Sequence, residues 1–140
     1  MKKQIIALLL CFGLFSCSSD ETTSTTSDSS SETTTSPTEV TLTVLDSDNN
    51  TKSDYIVMMF DEPVDPDNDN NLPEILMQET SDSQGEVVFE LDDFISENGE
   101  GTYYFEAFSE IQNGFSFESV THPDFYIEEG KSITSSIIVE

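Results

Sequence analysis

From residue 40 onward the apolar residues come in short runs of strand length, and Asp, Asn, Gly and Pro break each run before a helical stripe can build up. Alternation or a short continuous run bounded by turn residues is the pattern of β-strands. Val40, Leu42 and Val44 alternate with Thr41 and Thr43, giving a first strand one apolar and one polar face. Asp46-Ser47-Asp48-Asn49-Asn50 then reads as a turn. Tyr55-Ile56-Val57-Met58-Met59-Phe60 is continuously apolar, which predicts a central strand covered on both faces. Residues 61–71 form a polar loop with two prolines, and residues 72–79 suit a third strand or a short helix equally well.

Asp82-Ser83-Gln84-Gly85 is a turn into Glu86-Val87-Val88-Phe89-Glu90-Leu91, where Val87, Phe89 and Leu91 share a face. Residues 91–97 fit a single helical turn over one end of the domain. Residues 102–109 follow, with Tyr103, Phe105 and Ala107 alternating against Tyr104, Glu106 and Phe108. Asn113-Gly114 is a hairpin signal that favours a type I′ turn into Phe115-Ser116-Phe117-Glu118-Ser119-Val120. Glu129-Gly130-Lys131 turns the chain into a last strand over residues 133–139. About seven strands at regular spacing predict an all-β fold, a single antiparallel β-sandwich of Ig-like architecture, over residues 39–140. At about 100 residues this is one domain, too short for two.

The first strand with its Asp/Asn-rich turn, the Asp82-Ser83-Gln84-Gly85 turn before Val87-Val88-Phe89, and Gly101-Thr102-Tyr103 opening another strand together resemble prealbumin-like (transthyretin-like) domains of the Cna-B and carboxypeptidase-regulatory types. Some Cna-B domains close a Lys–Asn/Asp isopeptide bond beside a buried acid. Here Lys52 and Lys131 lie in polar turns rather than in a core strand, so no such bond is expected.

The amino-terminal residues carry a different message. Lys2 and Lys3 precede an apolar stretch over residues 5–15, too short to span a bilayer and of the length of a signal-peptide core. Leu14-Phe15-Ser16-Cys17 resembles the lipobox of bacterial lipoproteins, which implies cleavage after residue 16 and acylation of Cys17. Two or more acyl chains hold a protein on a membrane stably, at ~0.8 kcal/mol per buried methylene. Ser18-Ser19-Asp20-Glu21 resembles the acidic export signals of Bacteroidota lipoproteins, implying the outer membrane and surface exposure. Residues 17–38 then form a lipidated, disordered stalk, because residues 18–38 contain no apolar side chain except Pro37 and have nothing to bury.

Removal of residues 1–16 would leave Lys52 and Lys131 as the only cations, no arginine, and all 29 Asp and Glu. Nucleic acid is thereby excluded as a partner, since binding requires cations that displace counterions from phosphates. Membrane contact is expected through the lipid anchor alone. Cys11 and Cys17 both fall in the leader region, so the body has no thiol for a disulfide, a zinc site or a nucleophile.

Asp65, Asp67, Asp69 and Asn71 set oxygen ligands at alternate positions, the spacing a calcium-wrapping loop uses. The sixth position of an EF-hand-like loop is Asn70 rather than Gly, and the twelfth is Leu76 rather than Glu. Asp and Asn are also good turn residues, and that reading competes with calcium here and at Asp46, Asp48 and Asn50. His122, the lone histidine, fits a structural or surface position better than a catalytic one. The paired acids Asp92-Asp93 and Glu128-Glu129 would point to opposite faces if they lay on strands, which is unsuited to glycoside hydrolysis. Tyr104 and Phe108 would be exposed as a patch for a protein or glycan partner, or else packed beneath a loop on a second face. These features favour a non-catalytic surface or outer-membrane lipoprotein over a calcium-stabilised adhesion or glycan-binding module, with a small hydrolase third.

Overall fold

A computed structural model describes residues 36–66 and 72–140. The expected signal peptide, Cys17 and the stalk up to residue 35 lie outside the described residues, as do Asp67, Asp69 and Asn71. The described elements are β1 (Glu39–Asp46), β2 (Ile56–Phe60), β3 (Met77–Thr80), β4 (Glu86–Glu90), α1 (Asp92–Asn98), β5 (Gly101–Ile111), β6 (Gly114–Phe117), β7 (Asp124–Ile127) and β8 (Ser132–Val139).

The strands form the expected all-β sandwich. One sheet has the order β4-β1-β8; the other has the order β3-β2-β5-β6, with β7 also on β5. Every strand pair is antiparallel except β1 with β8, which run parallel from Glu39↔Ser132 to Asp46↔Val139. The purely antiparallel expectation is corrected at that pair. Parallel neighbours cannot be joined by a hairpin, and here they are the first and last strands, with the rest of the domain as their crossover.

The alternation read in β1 faces Val40, Leu42 and Val44 into the interior, where they meet Phe89 of β4, Ile137 of β8, and Val57 and Phe105 of the other sheet. Phe89 and Phe105, both fully buried, meet edge to face with centroids 5.2 Å apart. Burying each such side chain contributes ~1.5–3 kcal/mol, and the ring pair adds ~0.5–1.5 kcal/mol. At one end α1 packs Phe94 against Tyr103 at 5.4 Å, and the Tyr103 hydroxyl donates to the Gly99 carbonyl at 3.0 Å.

The continuous apolar run of β2 has its expected consequence: both faces are covered. Val57 and Met59 join the inter-sheet core. Met58 and Phe60 join Val64 and Phe108 in a second cluster on the outer face, with Leu72, Tyr104 and Phe117 packed against it. The segment after β2 therefore folds back over its own sheet. Among the described residues no helix is long and apolar enough to cross a membrane.

Local expectations were revised at two points. β3 forms as a strand, but only over Met77–Thr80, because Leu72 is drawn into the outer cluster instead. The β5–β6 hairpin forms without a type I′ turn: Ile111 pairs with Gly114, the loop is Gln112-Asn113, and neither loop residue has positive φ. Gly114 instead opens β6 at φ 144°. Asp92 and Asp93 lie in the first turn of α1, within the helical turn expected over residues 91–97.

Candidate functional site

β5 is long enough to serve several partners in succession. Its first residues, Gly101 to Tyr104, pair with β7, and Phe108 to Ile111 pair with β6. Phe105, Glu106 and Ala107 fall in the gap between those ladders. Backbone groups left there must find other partners or incur a desolvation penalty. The connection from β6 to β7 supplies them. The Ala107 N–H donates to the Ser119 hydroxyl at 2.7 Å, the Phe105 N–H donates to the Pro123 carbonyl at 3.0 Å, and the Glu118 N–H donates to the Ala107 carbonyl at 2.9 Å.

Glu106 points from this gap onto the outer face, between Tyr104 and Phe108. Its side chain is 3% exposed, and His122 Nδ1 stands 3.0 and 3.1 Å from its two carboxylate oxygens. The His122 ring is half exposed and stacks on Phe117 at 5.9 Å. Burial pushes the Glu106 carboxyl above its ordinary range, while hydrogen bonds from the Ser119 hydroxyl and His122, and the charge of His122, pull it back. Nearby, the Ser109 hydroxyl donates to Glu118 at 2.7 Å and ties β5 to the same connection.

The constellation contains a serine, a histidine and an acid, but its connectivity is not that of a nucleophilic triad. A triad requires the hydroxyl to donate to the histidine, which the acid orients from its other side. Here His122 Nδ1 faces both oxygens of Glu106, and the Ser119 oxygen accepts from the Ala107 N–H. The carboxylate is a hub that stitches the irregular connection to the middle of β5. His122 thus has the structural, partly exposed placement expected of it. Its buried partner Glu106 was not singled out, although an acid between two aromatics on one strand face was the available signal.

The other candidates are dispersed. Asp65 is exposed, in the segment that follows β2. Asp46 is engaged within its own turn: its carboxylate accepts the N–H groups of Asp48 and Asn50 at 3.0 and 2.9 Å, the Asn50 side-chain amide at 3.1 Å, and Lys52 at 3.1 Å. Its pKa is held down to about 2, chiefly by the Asn50 backbone N–H. Lys131 pairs with Glu128, so both lysines sit in the polar turns where the sequence places them. Phe108 is buried and Tyr104 packs beside it, which selects second-face packing over an exposed aromatic patch.

Where the chain enters the body, Thr38 is buried. Its N–H donates to Asp92 at 2.8 Å, its carbonyl accepts from the Leu91 N–H at 2.8 Å, and its hydroxyl accepts from the Gly130 N–H at 2.8 Å. Bonds from the Thr38 hydroxyl and N–H hold the Asp92 carboxyl below its usual range. An acidic cleft of about 440 Å³ lies beside this point, lined by Glu39, Glu90, Asp92 and Asp93 with Pro37 and Thr38. Among the described residues, no group of three or more His, Cys, Asp and Glu is placed to hold a metal ion.

The fold and its buried hub define a small β-sandwich in which the polar side chains serve cross-strand connection. Solved structures similar to this chain include the major pilin subunit BcpA of Bacillus cereus, at 15% identity over 75% of this chain and 30% of that one, with a TM-score of 0.45. A Streptococcal ancillary pilin is similar at 15% identity over 76% of this chain and 33% of that one, with a TM-score of 0.46. A variant of the shaft pilin spaA from Lactobacillus rhamnosus GG is similar at 15% identity over 74% and 45%, with a TM-score of 0.43. The chain thus spans less than half the length of each of these proteins. No family model matches the sequence, and no curated protein matches it.

Proposed function

We propose that this chain is a lipid-anchored protein of the outer membrane, exposed at the cell surface, whose β-sandwich has a non-catalytic structural or binding role. The anchor is supported by Leu14-Phe15-Ser16-Cys17 behind a lysine-led apolar run. The non-catalytic role rests on one observation: His122 is held against the buried Glu106 carboxylate, while the Ser119 hydroxyl accepts from the Ala107 N–H.

The topology gives the body two distinguishable ends. The chain enters at Thr38, and β1 carries it ~25 Å, at about 3.3 Å per residue, to the end where Val139 pairs with Asp46. β5 starts at the entry end and runs the same way, so its hairpin with β6 lies at the far end. Ile111 and Phe115 are exposed there, 53% and 43%, and offer apolar contact to a protein or glycan partner. A calcium-stabilised adhesion module is the second reading, favoured by the alternate oxygen ligands Asp65, Asp67, Asp69 and Asn71.

Fractionation of cells expressing the full chain or its Cys17→Ala variant tests the proposal. The full chain is expected in the membrane fraction and open to protease added to intact cells, with the variant lost from that fraction. Membrane retention of the variant would overturn the anchor. Calcium calorimetry on the chain and on an Asp67→Ala/Asp69→Ala variant separates the second reading, which requires binding that this variant loses.

A further inference from the structure

The sequence contains two Asn-Gly steps, Asn98-Gly99 and Asn113-Gly114, and the fold treats them differently. An asparagine followed by glycine can cyclise spontaneously. The glycine backbone nitrogen, having lost its proton, bonds to the asparagine Cγ; the Cγ–Nδ2 bond breaks, and ammonia leaves with the proton. Water then opens the succinimide at either carbonyl to give aspartate or isoaspartate. The reaction requires a carboxamide that can swing toward the backbone and a glycine N–H released from other bonds.

Asn98 meets neither requirement. Its carboxamide donates to the Phe94 carbonyl at 2.9 Å, and the Gly99 N–H donates to the Ile95 carbonyl at 2.8 Å. Both reacting groups are held by the last turn of α1. Asn113 is at the exposed tip of the β5–β6 hairpin, and its side chain has no hydrogen-bond partner among the described residues. Gly114 forms the terminal pair of the ladder, opposite the exposed Ile111, where opening is easiest. Space does not distinguish the two sites, since a Cβ at either glycine would meet nothing within 4 Å. Hydrogen bonding does.

We propose that Asn113 is a site of spontaneous deamidation through a succinimide, and that the end of α1 protects Asn98 from the same reaction. Each conversion adds a carboxylate to the hairpin tip. The isoaspartate product also adds a methylene to the backbone of a two-residue loop beside Ile111 and Phe115. The far end of the domain would therefore carry a chemical record of the protein's age.

The test is peptide mapping by mass spectrometry after the purified folded chain is incubated at mildly alkaline pH. Conversion is read as a gain of about 1 Da, with isoaspartate resolved by chromatography. Since Gly114 also sits in a bonded ladder pair, the extra bond at Asn98 is that of its carboxamide, and Asn113 is predicted to convert roughly fivefold faster. In denaturant the two rates should converge to within about threefold, and Gly114→Ala should slow Asn113 alone. Equal rates in the folded protein would overturn the proposal. So would folded Asn113 reacting about tenfold or more slower than the same residue in denaturant, because the hairpin would then be protective.

Discussion

Replacing Gly85 by alanine tests how the Asp82-Ser83-Gln84-Gly85 turn is seated on β1. Gly85 has φ of 78°, and a Cβ there would lie 2.9 Å from the Val44 carbonyl oxygen and 3.0 Å from both the Lys52 nitrogen and the Thr51 Cβ. Two of these are backbone atoms, already bonded to each other by Lys52 N–H donating to the Val44 carbonyl at 2.9 Å. The Val44 N–H also donates to the Gly85 carbonyl at 2.8 Å. Gly130 supplies the control, with φ of 74° and only an ordinary contact at 3.5 Å to the Ser36 carbonyl oxygen.

Left-handed φ alone costs an alanine ~1–2 kcal/mol, and both variants incur it. Gly85→Ala must in addition disrupt two hydrogen bonds worth ~1 kcal/mol each, for a total of ~3–4 kcal/mol. A domain of about 100 residues has ~5–15 kcal/mol to lose, so the variant still folds. With a denaturant slope of ~1.5 kcal/mol per molar, urea midpoints should fall by ~2 M for Gly85→Ala and ~1 M for Gly130→Ala. Equal shifts within about 0.3 M would refute the close approach of this turn to β1.

Glu106→Gln should change how stability depends on pH. Because the folded carboxyl titrates above its unfolded counterpart, its contribution is complete below the unfolded pKa and is lost as pH rises through the folded one. Urea midpoints of the variant should therefore gain on those of the native chain from acid toward neutral pH, and a constant or opposite difference would contradict the burial of Glu106. Phe108→Ala should cost ~3–5 kcal/mol as a buried outer-face residue, against about 1 kcal/mol or less for the exposed Phe115→Ala. Comparable losses in thermal or urea unfolding would mean that the outer face is open.

Strand positions were legible in the sequence wherever the chain carries its own alternation, as in β1, β4 and β5. The continuous run of β2 likewise announced two covered faces, and a helical turn was readable around residues 91–97 because it interrupts the apolar alternation. Pairing was not legible. β7 was missed because Asp124 to Ile127 is only four residues long and becomes a strand through its ladder with the first part of β5. The parallel meeting of β1 and β8 is likewise a tertiary fact with no local signature. The Glu106 hub was hidden for the same reason: alternation put Glu106 beside Tyr104 and Phe108, but only Val64, Leu72 and Phe117 make that face an interior. Asn113-Gly114 did mark a hairpin, and the ladder register moved the turn one residue earlier than the dipeptide suggests.

The lipid anchor proposed for this β-sandwich is tested most directly by the mass of the amino-terminal peptide from membrane-extracted protein. The expected peptide begins at Cys17 and carries two or three acyl chains, with residues 1–16 absent. An unmodified Cys17, or a chain beginning at any other residue, would contradict the account.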